Sequence, residues 1–272
     1  MVGVQTPADI KALLASVGAS PKHALGQNFL IAHDHITRLV DRSGVGRGDL
    51  VLEVGPGTGA MTDLLVERGC ELVLAELDAN MVAILKSRFA ERVTIVEGDC
   101  LASKSAIAPA ILDAIDGRPF TLVANLPYGA ASPLMVALAA DHPAQCRGQY
   151  VTIQREVGQR LRAQPGTKDF SELSIVVQAM CTVERVATLP PGCFWPQPKV
   201  TSETVAIEPR AVPLTDDPRA LAAMCRRLFT KRRKQLGAIL GRDIPLPDGV
   251  THDLRPEALT VDQLVALTRL AP

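Results

Sequence analysis

Aromatic side chains are scarce in this chain: its 272 residues include one Trp, two Tyr and six Phe. Each of those nine is therefore worth locating singly. Net charge is missing as well, since 29 basic residues balance 29 acidic ones. The chain as a whole has no long-range pull toward nucleic acid, so any cationic surface must come from local segregation. The six Cys (70, 100, 146, 181, 193, 225) contain no C-x-x-C pair. The five His (23, 33, 35, 142, 252) form no metal-ligand pattern either. Neither a disulfide framework nor a metal site is expected, and the thiols read as free in a reducing compartment. No apolar run approaches the roughly 20 residues of a membrane span, and the N-terminus has no apolar signal core. The expectation is a soluble, cytoplasmic protein that meets no membrane.

Apolar residues make up 47% of the chain, enough for a substantial core. The length suits one core domain with a smaller appendage. Residues 6–18 read as a short capped helix, part of an N-terminal extension over 1–20. A non-periodic loop, Pro21-Lys22-His23-Ala24-Leu25-Gly26-Gln27-Asn28-Phe29-Leu30, precedes a helix over 34–41. Strands are then expected at 50–54, 71–76, 93–97, 121–124 and 150–154. Helices alternate with them at 60–68, 79–89, 105–115, 133–140 and 156–162. Such alternation predicts a parallel, doubly wound α/β sheet with helices on both faces. The apolar runs 173–180 and 204–207 read as closing strands, with a Pro-rich crossover over 190–198 between them. Composition shifts near Pro213, dividing the chain into a domain over 1–212 and a helical C-terminal domain over 213–272.

Gly55-Pro56-Gly57-Thr58-Gly59 follows a strand and opens a helix, a turn that lets backbone N–H groups approach a ligand. Its G-x-G-x-G spacing is neither the dinucleotide fingerprint nor a Walker loop. Glu76 closes the second strand, where an acid can accept both hydrogen bonds of a ribose diol. Asp99 follows the third strand, where it can meet an adenine amine. A nicotinamide dinucleotide would fit these features equally well.

Asn125-Leu126-Pro127-Tyr128 decides between them. It spends one of three Asn and one of two Tyr at the end of the fourth strand. The exocyclic amine of adenine is a poor nucleophile because its lone pair is delocalised into the ring. The Asn125 oxygen and the Leu126 carbonyl can accept its two N–H bonds and favour a pyramidal nitrogen, while Pro127 helps aim that carbonyl. Tyr128 offers a face on which a flipped base can stack. A methyl on a sulfonium needs no strong general base, which agrees with the missing His or Cys constellation.

The chain resembles the KsgA-type small-subunit (16S) ribosomal RNA adenine N6,N6-dimethyltransferases along nearly its whole length. The shared motifs are Leu25-Gly26-Gln27-Asn28-Phe29-Leu30, Glu53-Val54-Gly55-Pro56-Gly57-Thr58-Gly59, Glu76-Leu77-Asp78, Gly98-Asp99 and Asn125-Leu126-Pro127-Tyr128. Phe194-x-Pro196-x-Pro198-Lys199-Val200-x-Ser202, Phe229-Thr230-Lys231-Arg232-Arg233-Lys234-Gln235-Leu236 and Arg255-Pro256-Glu257-x-Leu259-Thr260 follow in order. The resemblance implies a Rossmann-like class I methyltransferase sheet and S-adenosyl-L-methionine as cofactor. It implies a cofactor site made by Asn28, Leu30, Gly55, Gly57, Glu76, Leu77, Asp99, Cys100 and Asn125. Asn125, Leu126, Pro127 and Tyr128 would carry the chemistry, with Phe194 as a second aromatic wall. Two adjacent adenosines near the 3′ end of 16S rRNA, each dimethylated in the course of small-subunit biogenesis, are the implied substrate. The partner is then small-subunit rRNA or its pre-30S particle, met by a monomer. One departure stands out: after Tyr128 the family commonly has Asn-Ile-Ser or Asn-Ile-Thr, where this chain has Gly129-Ala130-Ala131-Ser132.

Charge does segregate, between residues 226 and 234. Arg226, Arg227, Lys231, Arg232, Arg233 and Lys234 are basic there, while Leu221, Met224, Cys225, Leu228 and Phe229 form an apolar stripe. A helix of this kind docks by one face and offers cations to RNA phosphates by the other. Lys22, Arg38 and Arg42 could extend the basic path. Three other readings compete: a large-subunit rRNA dimethyltransferase of the macrolide-resistance type, a non-catalytic assembly or transcription factor on the same fold, and a DNA adenine methyltransferase. The last usually carries Asp-Pro-Pro-Tyr and a separate target-reading domain.

Overall fold

The computed structural model describes residues 5–22, 25–103 and 106–271. His23 and the expected helix start at Ser105 lie outside them. In chain order the elements begin with α1 (Pro7–Ser16), β1 (Phe29–Leu30), α2 (His33–Ser43), β2 (Leu50–Val54), α3 (Ala60–Glu67), β3 (Glu71–Glu76), α4 (Ala79–Phe89) and β4 (Thr94–Glu97). A hairpin of β5 (Leu101–Ser103) and β6 (Ala106–Ile107) follows, then α5 (Pro109–Ile115), β7 (Phe120–Asn125), α6 (Tyr128–Asp141), β8 (Cys146–Gln154) and α7 (Arg155–Leu161). The chain closes with α8 (Glu172–Met180), β9 (Cys181–Leu189), β10 (Phe194–Trp195), β11 (Ser202–Pro209), α9 (Pro218–Phe229), α10 (Leu236–Leu240) and α11 (Val261–Leu270).

Seven strands form the main sheet in the order β4-β3-β2-β7-β8-β11-β9. The first five run parallel, and β11 is antiparallel to both its neighbours. Strand order reverses between β2 and β7, which places a ligand crevice at their carboxyl ends. Successive side chains alternate between the faces. Leu52, Leu122, Val151 and Val205 belong to one core cluster, with α5, α6 and α8; Val51, Leu74, Val123 and Tyr150 belong to the other, with α2 and α3.

Most expected elements sit within a few residues of their predicted places, and two readings are corrected. Residues 173–180 belong to helix α8, not to a strand. Nearly every residue of that helix is buried, so its sequence has no polar face to reveal a helical period. The strand comes directly afterwards as β9, an edge strand with an irregular burial pattern and a register shift against β11. Helix α6 begins at Tyr128 and continues through Pro133.

The C-terminal segment is helical as expected, but its apolar residues join the sheet's own core. Leu221, Met224, Cys225 and Leu228 of α9, with Leu264 and Leu267 of α11, belong to the cluster that fills the α6 and α8 face. At the other end, Ile10 and Leu14 of α1 pack with Phe29 of β1 and with Met81 and Ile84 of α4.

Candidate active site

The β2–α3 turn is built on backbone that favours glycine. Gly55 and Gly57 have φ of 68° and 57°. A Cβ on Gly55 would come within 2.8 Å of Pro127 Cγ. One on Gly57 would come within 3.1 Å of the Phe29 ring. Only glycine meets both demands, and the first contact joins the glycine turn to the tetrapeptide at the tip of β7. Gln5 clamps the turn from outside: its Nε2 donates to the Thr58 carbonyl (3.1 Å) and its Oε1 accepts from Thr58 Oγ1 (2.6 Å).

Three carboxyls line the cleft, and a fourth, Asp78, is buried next to Glu76. Glu53 is fully buried beneath the turn and accepts from Thr62 Oγ1 at 2.7 Å. Burial pushes its pKa up to about 8, against the opposing pull of that bond. Glu76 is 7% exposed, with Oε2 accepting from Gly57 N (3.2 Å) and Oε1 from Asp78 N (2.8 Å). Burial raises its pKa too, and these backbone donors oppose the rise. Asp78 takes Lys22 Nζ and Gln27 Nε2, each at 2.8 Å, and the backbone N–H of Asn80 at 3.0 Å. Burial works against ionisation there, but the three donors outweigh it and hold the group below its usual value. Asp99 is exposed on the loop after β4, where Oδ1 accepts from Leu101 N at 2.9 Å.

Asn125 and Asn28 meet across the crevice. Asn125 Nδ2 donates to the Asn28 carbonyl at 3.2 Å, and Asn28 Nδ2 donates to the Gly26 carbonyl at 2.9 Å. The Asn125 amide is thereby turned with its nitrogen toward the loop that precedes β1. Its Oδ1 makes no hydrogen bond among the described residues. Leu126 donates its N–H to the Thr152 carbonyl at 3.1 Å, which fixes the peptide whose carbonyl follows. Tyr128 opens α6 half-buried, its hydroxyl 3.5 Å from Ser202 Oγ.

Glu53, Glu76, Asp99, Asn28, the glycine turn and the Asn125–Tyr128 tetrapeptide line one crevice of two connected halves, with about 920 and 1010 Å³ of space open to solvent. Gly55, Glu76, Leu77, Pro127 and Tyr128 border both. Asn28, Leu30, Glu53 and Asn125 belong to the first half, Asp99 and Cys100 to the second. Leu77 presents an exposed apolar side chain (55%) at the junction. Cys100 is buried, and burial beside Asp99 pushes its thiol up to about 12. It is an inert wall, not a nucleophile. The structure thus brings every expected cofactor residue to one crevice. The fit to S-adenosyl-L-methionine is chemical: a glycine turn with no side chains in the way of a ligand, a carboxylate at a strand tip for a diol, an apolar platform, and a second acid beyond it.

Phe194 is the exception. Its strand β10 pairs with β1 (Leu30 opposite Phe194), which brings its backbone close, but its ring is 2% exposed and packs among Leu30, Val123, Tyr150 and Leu189. The ring presents no face to the crevice in this structure, because β10 points it into the core below. Glu53 and Asp78 were not singled out from the sequence, although each stands in a quoted motif. A lone acid inside a strand, like Glu53, or at the start of a helix, like Asp78, gives no sign of whether it is buried or what distant groups it holds.

The basic segment is split in two. Arg226 pairs with Glu172 (2.8 Å), and Arg232 pairs with Glu257 (2.7 Å). Arg232 also donates to the carbonyls of Lys168 and Thr167, so it braces the loop before α8. Arg227, Lys231, Arg233 and Lys234 are exposed with no ion-pair partner among the described residues. Two residues of the proposed extension are engaged elsewhere: Arg42 binds Glu208 and Glu184, and Lys22 binds Asp78. Arg38 stays exposed, with no such partner among the described residues.

Comparison with known proteins decides the family. Residues 18–259 match the model of the ribosomal RNA adenine dimethylase family. The chain belongs to that family. A ribosomal RNA small subunit methyltransferase A of Aromatoleum aromaticum is 38% identical over 254 residues, covering 89% of this chain and 91% of the relative. Another protein of that name, from Leptothrix cholodnii, is 36% identical over 252 residues and 91% of each chain. Among solved structures, a dimethyladenosine transferase from Plasmodium falciparum superposes with a TM-score of 0.67 at 22% identity, covering 85% of this chain and 93% of that one. The 23S rRNA methyltransferase ErmE gives 0.63 at 22% identity, over 90% and 99%. These two likenesses establish the Rossmann-like methyltransferase fold. The family makes the protein a methyltransferase whose cofactor is S-adenosyl-L-methionine.

Proposed function

We propose that this enzyme dimethylates N6 of two adjacent adenosines near the 3′ end of 16S rRNA, in the cytoplasm, during assembly of the small subunit. The observation that carries the reading is the Asn125–Tyr128 tetrapeptide, standing where the glycine turn, Glu76 and the crevice converge. In this reading Glu76 holds the cofactor's ribose, the glycine turn and Asn28 its amino-acid end, and Leu77 and Asp99 its adenine. When bound, that cofactor supplies a methyl group on a sulfonium, an electrophile with an excellent leaving group.

Asn125 Oδ1 and the Leu126 carbonyl accept the two N–H bonds of the target amine. That arrangement withdraws the nitrogen lone pair from the ring and aims it into the crevice. Tyr128 stacks on the base, a contact worth about 1–3 kcal/mol. Pro127 seats the tetrapeptide against Gly55. Positioning and hydrogen bonding carry the rate, with no strong base required. Arg227, Lys231, Arg233 and Lys234 hold RNA phosphates at a distance from the chemistry, and Arg226 and Arg232 brace the surface that presents them. Rigid attachment of α9 to the α6 and α8 layer fixes that surface relative to the crevice. The enzyme acts as a monomer.

Unmethylated small subunits, unmethylated large subunits and adenine-containing duplex DNA, each incubated with methyl-labelled cofactor, test the reading. Label should appear as dimethyladenosine at two neighbouring positions near the 3′ end of small-subunit rRNA. Label confined to large subunits would transfer the protein to the macrolide-resistance type, and no label anywhere would make it a binding factor.

A further inference from the structure

Beside Asn125, the tips of β8 and β11 carry two buried hydroxyls with no hydrogen-bond partner among the described residues. Asn125 is in register with Thr152, and Thr152 with Thr204. One step down the same strands, the row Val123, Tyr150, Ala206 belongs to the core cluster that contains Phe194. Residues two apart on a strand share a face. The three polar residues therefore stand on the Phe194 face, level with one another at the crevice end of the sheet. Thr152 and Thr204 are each 1% exposed, and the Oγ1 of each is buried without a partner among the described residues. Ser202, next on that face of β11, already lies against the Tyr128 hydroxyl.

A buried hydroxyl left unpaired is costly, and valine fills the same volume without that cost. Two such hydroxyls side by side, adjoining the residue that grips the reacting amine, mark a place where stability is sacrificed to function. Resting on the functional reading above, we propose that Thr152 and Thr204 are specificity-determining residues for the target base: their hydroxyls donate to ring nitrogens of the adenine once its amine is held by Asn125. The base reaches them by displacing the Phe194 ring, which occupies the same face and is carried on a strand of two residues paired, among the described residues, with β1 alone. Substrate binding then satisfies groups that the free enzyme leaves unpaired, so an ill-placed base gains less.

The test uses the full chain with Thr152→Val, Thr204→Val, the double variant, and Thr152→Ser, which keeps the hydroxyl. Melting temperature, cofactor affinity by calorimetry and steady-state transfer to unmethylated small subunits are measured for each. The valine variants should melt at or above the wild-type temperature, bind cofactor unchanged, and lose at least about tenfold in kcat/KM. Thr152→Ser should retain most of the activity. Full activity in the double variant overturns the assignment, as does a lowered melting temperature, which would show that the hydroxyls serve the fold. Equal loss of cofactor affinity and turnover also overturns it. Failure of the wild-type chain to label small subunits sinks the functional reading and the inference with it; losses confined to the variants bear on the hydroxyls alone.

Discussion

Around the cofactor crevice, carboxyl groups are held by designated partners: Glu76 by two backbone N–H groups, Asp78 by Lys22, Gln27 and Asn80, and Glu53 by Thr62. On the C-terminal segment, Arg227, Lys231, Arg233 and Lys234 are left to solvent. The contrast separates two tasks. A crevice that positions a small cofactor needs groups already fixed before binding, because each ordered side chain adds to the binding cost. A surface that meets a phosphate backbone gains affinity from releasing counterions and tolerates mobile side chains. Even neighbours divide along this line: Arg232 is a brace and Arg233 a free end.

The sharpest break between the regions is expected at Asn125. Asn125→Ala should cut single-turnover methyl transfer by about 100-fold or more while cofactor affinity, read by calorimetry, stays near wild type. Parallel loss of both would mean that the tetrapeptide serves only the cofactor half. Gly55→Ala comes next, since a Cβ there meets the Pro127 ring and the backbone has positive φ. We expect cofactor affinity to fall at least tenfold, with stability lowered by about 1–3 kcal/mol in urea titrations.

Smaller effects distinguish the brace from the free ends. Arg232→Ala should lower the melting temperature by several degrees, because Glu257 and two loop carbonyls lose their donor. Arg233→Ala should melt like wild type but flatten the salt dependence of RNA binding by about one unit of slope. If both variants melt alike, the division between neighbours fails.

The smallest effect concerns pH. Glu53 has a folded-state pKa raised to about 8, so between its ordinary value of 4.5 and that point the folded chain holds a proton that the unfolded chain has released. Its contribution to stability is complete at the acid end of that window and declines as pH rises toward 8. Thermal melts from pH 5 to 8 should therefore slope downward in the wild type, and Glu53→Gln should make that slope shallower. An unchanged slope would place the titration elsewhere.

Much of the crevice was legible beforehand because its parts are local. A strand, a glycine turn and a helix start within a dozen residues, as at 50–60, announce themselves by hydrophobic runs and positive-φ positions. The same holds for the acids at the tips of β3 and β4. Helix α8 defied that reading, since burial on all sides removes the polar residues that mark a helical period. Phe194 defied it differently. Its motif is recognisable, but whether a ring lines a cleft or fills a core depends on the strand it pairs with, and β1 lies far away in sequence.

By itself, then, the sequence determined the order of strands and helices, the glycine turn, and the tetrapeptide whose chemistry suits an aromatic amine. Each is written in contiguous residues. Tertiary structure alone decided which arginines brace and which stay free, that Asp78 binds both Lys22 and Gln27, and that Thr152 and Thr204 stand beside Asn125. Those outcomes depend on partners brought together from distant segments by sheet register and burial, and no local pattern encodes a distance across strands.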